Sequence, residues 1–178
     1  MLRMIESIEE LLGKLDEVSS EEYKELGALV NISPDKFAKY AHFSNIHYTR
    51  NCIKRTDKYE LILLCWEPGQ STPIHCHNGE ECWVYMIQGS MQEQHFIDDN
   101  GQPILKDIHE LKPLDKSFMC DDFGYHTLEN NGSTRAMTLH LYIEPINECS
   151  IYEDNSGEFK MVDLSYYSME GKVLEPTI

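Results

Sequence analysis

From about residue 44 onward the chain is a succession of short apolar or alternating runs separated by turn residues, a texture that restricts the fold more than any other feature. Tyr59 to Trp66, Cys82 to Gln88, Met91 to Ile97, Ile104 to Leu111, Ser117 to Cys120, Arg135 to Ile143 and Glu158 to Leu164 all read as strands. Asp99-Asn100-Gly101 and Asn130-Asn131-Gly132 supply turn chemistry, Asn-Gly being the favoured pair of a tight hairpin. Many short strands at close spacing predict a mainly β protein, a sandwich or a small barrel able to hold one ligand in its mouth.

The first 43 residues have a different period. Met4, Ile5, Ile8, Leu11, Leu12 and Leu15 recur at helical spacing between glutamates, which makes one amphipathic face. Ser19 with Glu22 three positions on resembles a capping box, and Ser33 followed by Pro34 is a second helix start. Three short helices are expected, packed on one side of the sheets. No internal repeat or proline-rich linker divides the chain, so residues 1–178 read as one domain, helical over residues 1–43 and β over residues 44–178.

With 31 acidic against 15 basic residues and a formal net charge of -16, the chain is ill suited to nucleic acid or an anionic membrane surface. No apolar run approaches a membrane span and no secretory leader opens the sequence, so a cytoplasmic monomer with a small-molecule partner is expected. The six cysteines have no paired CxxC spacing and read as small buried hydrophobes in a reducing compartment.

Chemistry concentrates in Gly69-Gln-Ser-Thr-Pro-Ile-His-Cys-His77, followed by Cys82 and Gly89. Side chains alternate along a strand, so His75 and His77 point the same way and can grip one metal ion. His126, in Gly124-Tyr-His-Thr-Leu-Glu-Asn130, offers a third imidazole. Three neutral imidazoles suit a reactive centre with open positions, although ligand type alone does not separate iron from zinc.

These spacings resemble the two motifs of the cupin superfamily, with cysteine at position 82 where many cupins carry a glutamate ligand. His47-Tyr-Thr-Arg-Asn51 upstream, Leu64-Cys-Trp66 before the first motif and Thr138-Leu-His-Leu-Tyr142 after the second extend the likeness to thiol dioxygenases, most closely the cysteine dioxygenases, over roughly residues 44 to 168. The resemblance implies a cupin-type β-barrel, or jelly roll, with the N-terminal α-helices on one side. It also implies one iron(II) per chain, on His75, His77 and His126. It assigns the substrate carboxylate to Arg50, with Tyr48 lining the same region. Tyr142 is to reach substrate and oxygen, with His140 hydrogen-bonded to it and Thr138 standing where serine is usual. In some members a thioether joins the cysteine matching Cys82 to the tyrosine matching Tyr142. Relatives preferring 3-mercaptopropionate tend to have glutamine in place of Arg50, so the arginine favours L-cysteine, oxidised with O2 to cysteine sulfinate.

Alternatives stand beside several of these assignments. Arg50 could be an ordinary surface arginine. Thr138, His140 and Tyr142 alternate with Leu139, Leu141 and Ile143, so they either face a cavity together or form a polar ladder on a solvent face. Glu81 could replace Cys82 near the metal, but counting back from Gly89 selects Cys82 and sends Glu80 and Glu81 to solvent. His42, His47, His95 and His109 read as surface or packing residues. For the whole chain the competing functions are oxidation of another small thiol, such as 3-mercaptopropionate or cysteamine, and a non-enzymatic metal-dependent cupin that binds a small acid.

Overall fold

The computed structural model describes residues 3–77, 79–120 and 124–174. Among the described residues two α-helices, α1 (Ile8–Glu17) and α2 (Tyr23–Leu29), precede thirteen strands. Ser7 caps α1 by accepting from Glu10 N at 3.1 Å, and the expected Ser19–Glu22 contact forms, the Glu22 carboxylate accepting from Ser19 N at 3.0 Å. Ser33 and Pro34 do open a helical turn, a short 3₁₀ segment Pro34–Phe37.

The strands are β1 (Thr49–Arg55), β2 (Tyr59–Trp66), β3 (His75–Cys76), β4 (Cys82–Gln88), β5 (Met91–Asp99), β6 (Gln102–Leu111), β7 (Lys116–Met119), β8 (Tyr125–Glu129), β9 (Ala136–Ile143), β10 (Glu148–Glu153), β11 (Glu158–Asp163), β12 (Ser168–Met169) and β13 (Lys172–Val173). They form a seven-stranded sheet in the order β13-β12-β1-β2-β9-β4-β7 and a six-stranded sheet in the order β11-β10-β3-β8-β5-β6. The two sheets face each other as a jelly roll does. Among the described residues, hydrogen bonding does not close them into one continuous barrel.

Two apolar layers hold this together. Ile62, Leu64, Val84 and Met86 of the first sheet meet Met91, Leu111 and Leu128 of the second. On the outer side of the first sheet, Leu11, Leu15, Tyr23 and Phe37 cover Leu61, Leu63, Tyr85, Leu139 and Leu141. Covered on both faces, β2 is buried along its whole length, which is why Tyr59 to Trp66 reads as a nearly continuous apolar run. No helix among the described residues is long and apolar enough to cross a membrane.

The turn at Asn100-Gly101 joins β5 to β6 as expected, with both residues at positive φ, 56° and 85°. Asn130-Asn131-Gly132 does something else: it carries the chain from β8 in one sheet to β9 in the other. Asn130 is buried there, its amide donating to Trp66 O at 3.3 Å and Thr134 O at 2.9 Å while accepting from Gly132 N at 3.1 Å. None of the six cysteines, all among the described residues, forms a disulfide, and all but Cys120 are buried.

Candidate metal centre and substrate pocket

The two-residue strand β3 lies between β8 and β10, and its register sets His75 directly across from His126. His77 follows one residue after the strand. Ligand atoms of His75, His77 and His126 all lie within 4.8 Å of one another, and Nε2 of His126 is 3.3 Å from Nε2 of His77. Outside the cluster each contact defines a proton. His75 Nδ1 donates to Pro73 O at 3.0 Å, and His126 Nδ1 donates to the Glu93 carboxylate at 2.9 Å. The Nε2 lone pairs of His75 and His126 are therefore left for a common centre. Burial, then the neighbouring His126, pushes His75 down to about 3, and the same two causes hold His77 well below the usual imidazole range. Three imidazoles kept neutral at this separation have the donor character a divalent cation needs.

The three histidines open into a cleft of about 1410 Å³ that also receives Arg50 and Tyr142, with Tyr48 and Tyr166 in its walls. Arg50, on β1, lies over the rings of Tyr142 and Tyr166 at 6.0 and 5.9 Å. Its Nε and Nη2 are buried without a partner. Burial opposes its charge, but the surroundings of Tyr142, Glu60 and Tyr48 more than restore it, leaving the guanidinium above its ordinary value. Two adjacent N–H groups on one edge of a charged guanidinium form the fork that a carboxylate fills.

Cys82, Tyr142, His140 and Thr138 come from β4 and β9. Thr138, His140 and Tyr142 are at most 3 % exposed, and His140 and Tyr142 line the inter-sheet cavity, which excludes a solvent-facing ladder. Cys82 pairs with Tyr142 across the strands. Trp66 Nε1 donates to Thr138 Oγ1 at 3.0 Å, and Thr138 meets His140 Nε2 at 2.8 Å. Since the threonine accepts from the indole, its own hydroxyl proton is available to His140 Nε2, which puts the imidazole proton on Nδ1. That Nδ1 is 3.8 Å from Cys82 Sγ, while the His140 and Tyr142 rings stack with centroids 6.3 Å apart. Burial, then Cys82, holds the Tyr142 hydroxyl well above its ordinary value, so it stays protonated. Glu81 is exposed and outside the imidazole cluster, as the count back from Gly89 required.

Several contributors were not legible beforehand. Glu93, 1 % exposed, binds His126 and also accepts from Ser117. His95, read as a surface or packing residue, lies 3.4 Å from the same carboxylate, and His47 lines the mouth of the cleft. Trp66 stacks on Tyr48 with ring centroids 4.6 Å apart while holding Thr138. The available signal for Glu93 was its phase: it alternates with Met91, an inward position, so a carboxylate on that face needed a buried partner.

The model of the family described as cysteine dioxygenase type I matches residues 1–155. Human cysteine dioxygenase type 1 is 30% identical over 161 residues, covering 88% of this chain and 80% of that protein. The zebrafish (Danio rerio) cysteine dioxygenase type 1 is 28% identical over 183 residues, covering 94% and 89%. Among solved structures, a Klebsiella pneumoniae protein with a double-stranded β-helix domain superposes with a TM-score of 0.51 at 19% identity, over 71% of this chain and 93% of its own. A Thermus thermophilus protein gives a TM-score of 0.51 at 16% identity, over 60% and 91%. These last two likenesses are of fold.

Proposed function

Because the chain belongs to the cysteine dioxygenase type I family, we propose that it adds both atoms of O2 to the sulfur of L-cysteine, giving cysteine sulfinate, at an iron(II) ion held by His75, His77 and His126. One observation carries this reading: a three-imidazole cluster and an arginine whose Nε and Nη2 are buried without a partner line one cleft. Bound iron would supply the oxygen chemistry, and three uncharged ligands would leave its positive charge free to favour an anionic thiolate.

The chain's own groups position the substrate. Arg50 takes the carboxylate through Nε and Nη2, which sets the far end of the amino acid while its sulfur points toward the imidazoles. Tyr142, kept protonated, presents a hydrogen-bond donor beside Arg50. Trp66, Thr138 and His140 lock the strand that carries it, and Tyr48 closes the wall.

Oxygen uptake by iron-loaded protein with L-cysteine, together with detection of the sulfinate by mass, tests the proposal. Arg50→Ala is expected to lower kcat/KM about ten- to a hundredfold, the worth of a charge-assisted bond to carboxylate. Cysteamine, which offers no carboxylate, should be nearly indifferent to that change, and 3-mercaptopropionate completes the panel. No cysteine-dependent uptake by the unsubstituted protein rejects the reading.

The Cys82–Tyr142 cross-strand pair supports a second proposal, a thioether between the sulfur and the ring. Forming that C–S bond removes one hydrogen from the thiol and one from the ring, a two-electron oxidation for which O2 is the oxidant. Peptides spanning both residues are expected to be two hydrogens lighter after turnover in air. Fully unmodified peptides after many turnovers would discard the link and leave the oxidation of cysteine standing.

A further inference from the structure

Glu60 is the second residue of β2, a strand otherwise made of apolar and aromatic side chains, and is 0 % exposed. A buried carboxylate in such a strand is costly unless it is paired. Cross-strand registers place Arg55, Glu60, Tyr142 and Cys82 in one row across β1, β2, β9 and β4, on the face that looks into the cavity. Arg55 Nη1 donates to Glu60 Oε1 at 3.1 Å, and the Tyr166 hydroxyl donates to the same oxygen. Arg55 is itself held by Asn147 Oδ1 at 2.7 Å. The other carboxylate oxygen, Oε2, is buried without a partner.

Arg50 lies between the rings of Tyr142 and Tyr166, and these are the two tyrosines that neighbour Glu60. Guanidinium and carboxylate feel each other's charge, yet among the described residues they make no direct bond. The interior therefore holds two cations and one anion, with the anion tied to the cation that does not face the substrate. Left free, Glu60 would be the natural partner of Arg50.

We infer that Glu60 is a restrained internal competitor for Arg50: its carboxylate weakens the guanidinium's hold on a substrate carboxylate, while Arg55 and Tyr166 keep it from occupying the guanidinium outright. The inference rests on Arg50 binding the carboxylate of a small thiol. It makes Glu60 a positioning residue that sets affinity for monocarboxylate thiols, acting through charge on a group it does not touch. Repulsion between Glu60 and the substrate carboxylate and attraction between Glu60 and Arg50 act in the same sense.

Glu60→Gln keeps the shape of the side chain and removes the charge. For the iron-loaded protein the KM for L-cysteine is expected to fall about fivefold, the scale of one charge at several ångströms in a partly polar interior, while the KM for cysteamine stays unchanged. Arg55→Gln releases Glu60 toward Arg50 and should raise the ratio of the cysteine KM to the cysteamine KM. It carries the test alone if Glu60→Gln does not fold. A purely structural role predicts that both thiols weaken together in both variants, and that outcome overturns the inference. Titration of the metal-free protein with propionate, followed by NMR, separates this inference from the activity. Tighter propionate binding by Glu60→Gln supports the competitor role even if no thiol is oxidised. Unchanged propionate binding in a variant that still oxidises cysteine overturns the competitor role and leaves the activity intact.

Discussion

The Glu93 carboxylate accepts from His126 Nδ1 at 2.9 Å and from Ser117 Oγ at 2.5 Å, so a side chain remote from the substrate decides which nitrogen of His126 faces the cavity. Burial works against its charge, but the bonds from His126, His95 and Ser117 outweigh that and hold the carboxyl well below its usual range. Glu93→Gln is expected to lower metal affinity about ten- to a hundredfold, as loss of such outer partners does, with little change in global stability. Competition against a chelator measures it, and unchanged affinity would show that β8 orients His126 without the carboxylate. At this scale the sequence was informative where two signals coincided. The alternation of His75 with His77 needed only the local strand period, while the count from Gly89 that favoured Cys82 over Glu81 came from the motif spacing of the resemblance. Glu93 had only its phase with Met91, and Glu60 and His95 had no such pair of signals, because their roles come from partners on other elements.

Two glycines show what the elements require. Gly124 has φ +94°, and a Cβ there would lie 2.3 Å from Phe96 O. It immediately precedes β8, the strand that carries His126, so this close approach of backbones seats the third imidazole. Gly124→Ala should destabilise the protein by about 1–3 kcal/mol, the cost of a strained left-handed residue, and loosen metal binding as well. Equilibrium denaturation and metal titration of the variant check both effects, and a variant of ordinary stability would mean that β5 and β8 can separate freely. At Gly89, with φ +84°, an added Cβ would lie 2.9 Å from Ala136 Cα. The strands found in advance were those with long apolar or alternating runs, β2 and β4 among them with both ends correct. β1 and β10 escaped because Thr49–Arg55 and Glu148–Glu153 mix polar and apolar residues without a period, and β8 because Tyr125–Glu129 is short and carries the site. The Asn130-Asn131-Gly132 turn is no hairpin despite its residues, because turn chemistry says that the chain bends and does not say toward which sheet.

Taken as a whole, the molecule holds neutral imidazoles along the cleft between its sheets, and that has a consequence in acid. His75 is held to about 3 when folded, against roughly 6.5 for an unfolded histidine, and burial also holds His77 and His140 well below their ordinary value. Between those two values the unfolded chain binds protons that the folded chain refuses. The contribution is therefore complete above about pH 6.5 and is lost progressively as pH falls toward 3. The melting temperature of the metal-free protein is expected to drop from pH 7 to pH 5. Constancy over that interval would mean that the imidazoles reach solvent in the folded state.

The amino-acid sequence by itself determined a mainly β chain with a helical start, the positions of the paired histidines, and that Thr138, His140 and Tyr142 share one face of their strand, because periods of two and of 3.6 are local properties. Tertiary structure alone decided that His126 meets His75 and His77, that Glu93 sets its proton, and that Glu60 is bound by Arg55 and Tyr166 while Nε and Nη2 of Arg50 are left without a partner. Those facts depend on registers between strands far apart in the chain, where the energy of a pairing belongs to two segments at once and is written in neither.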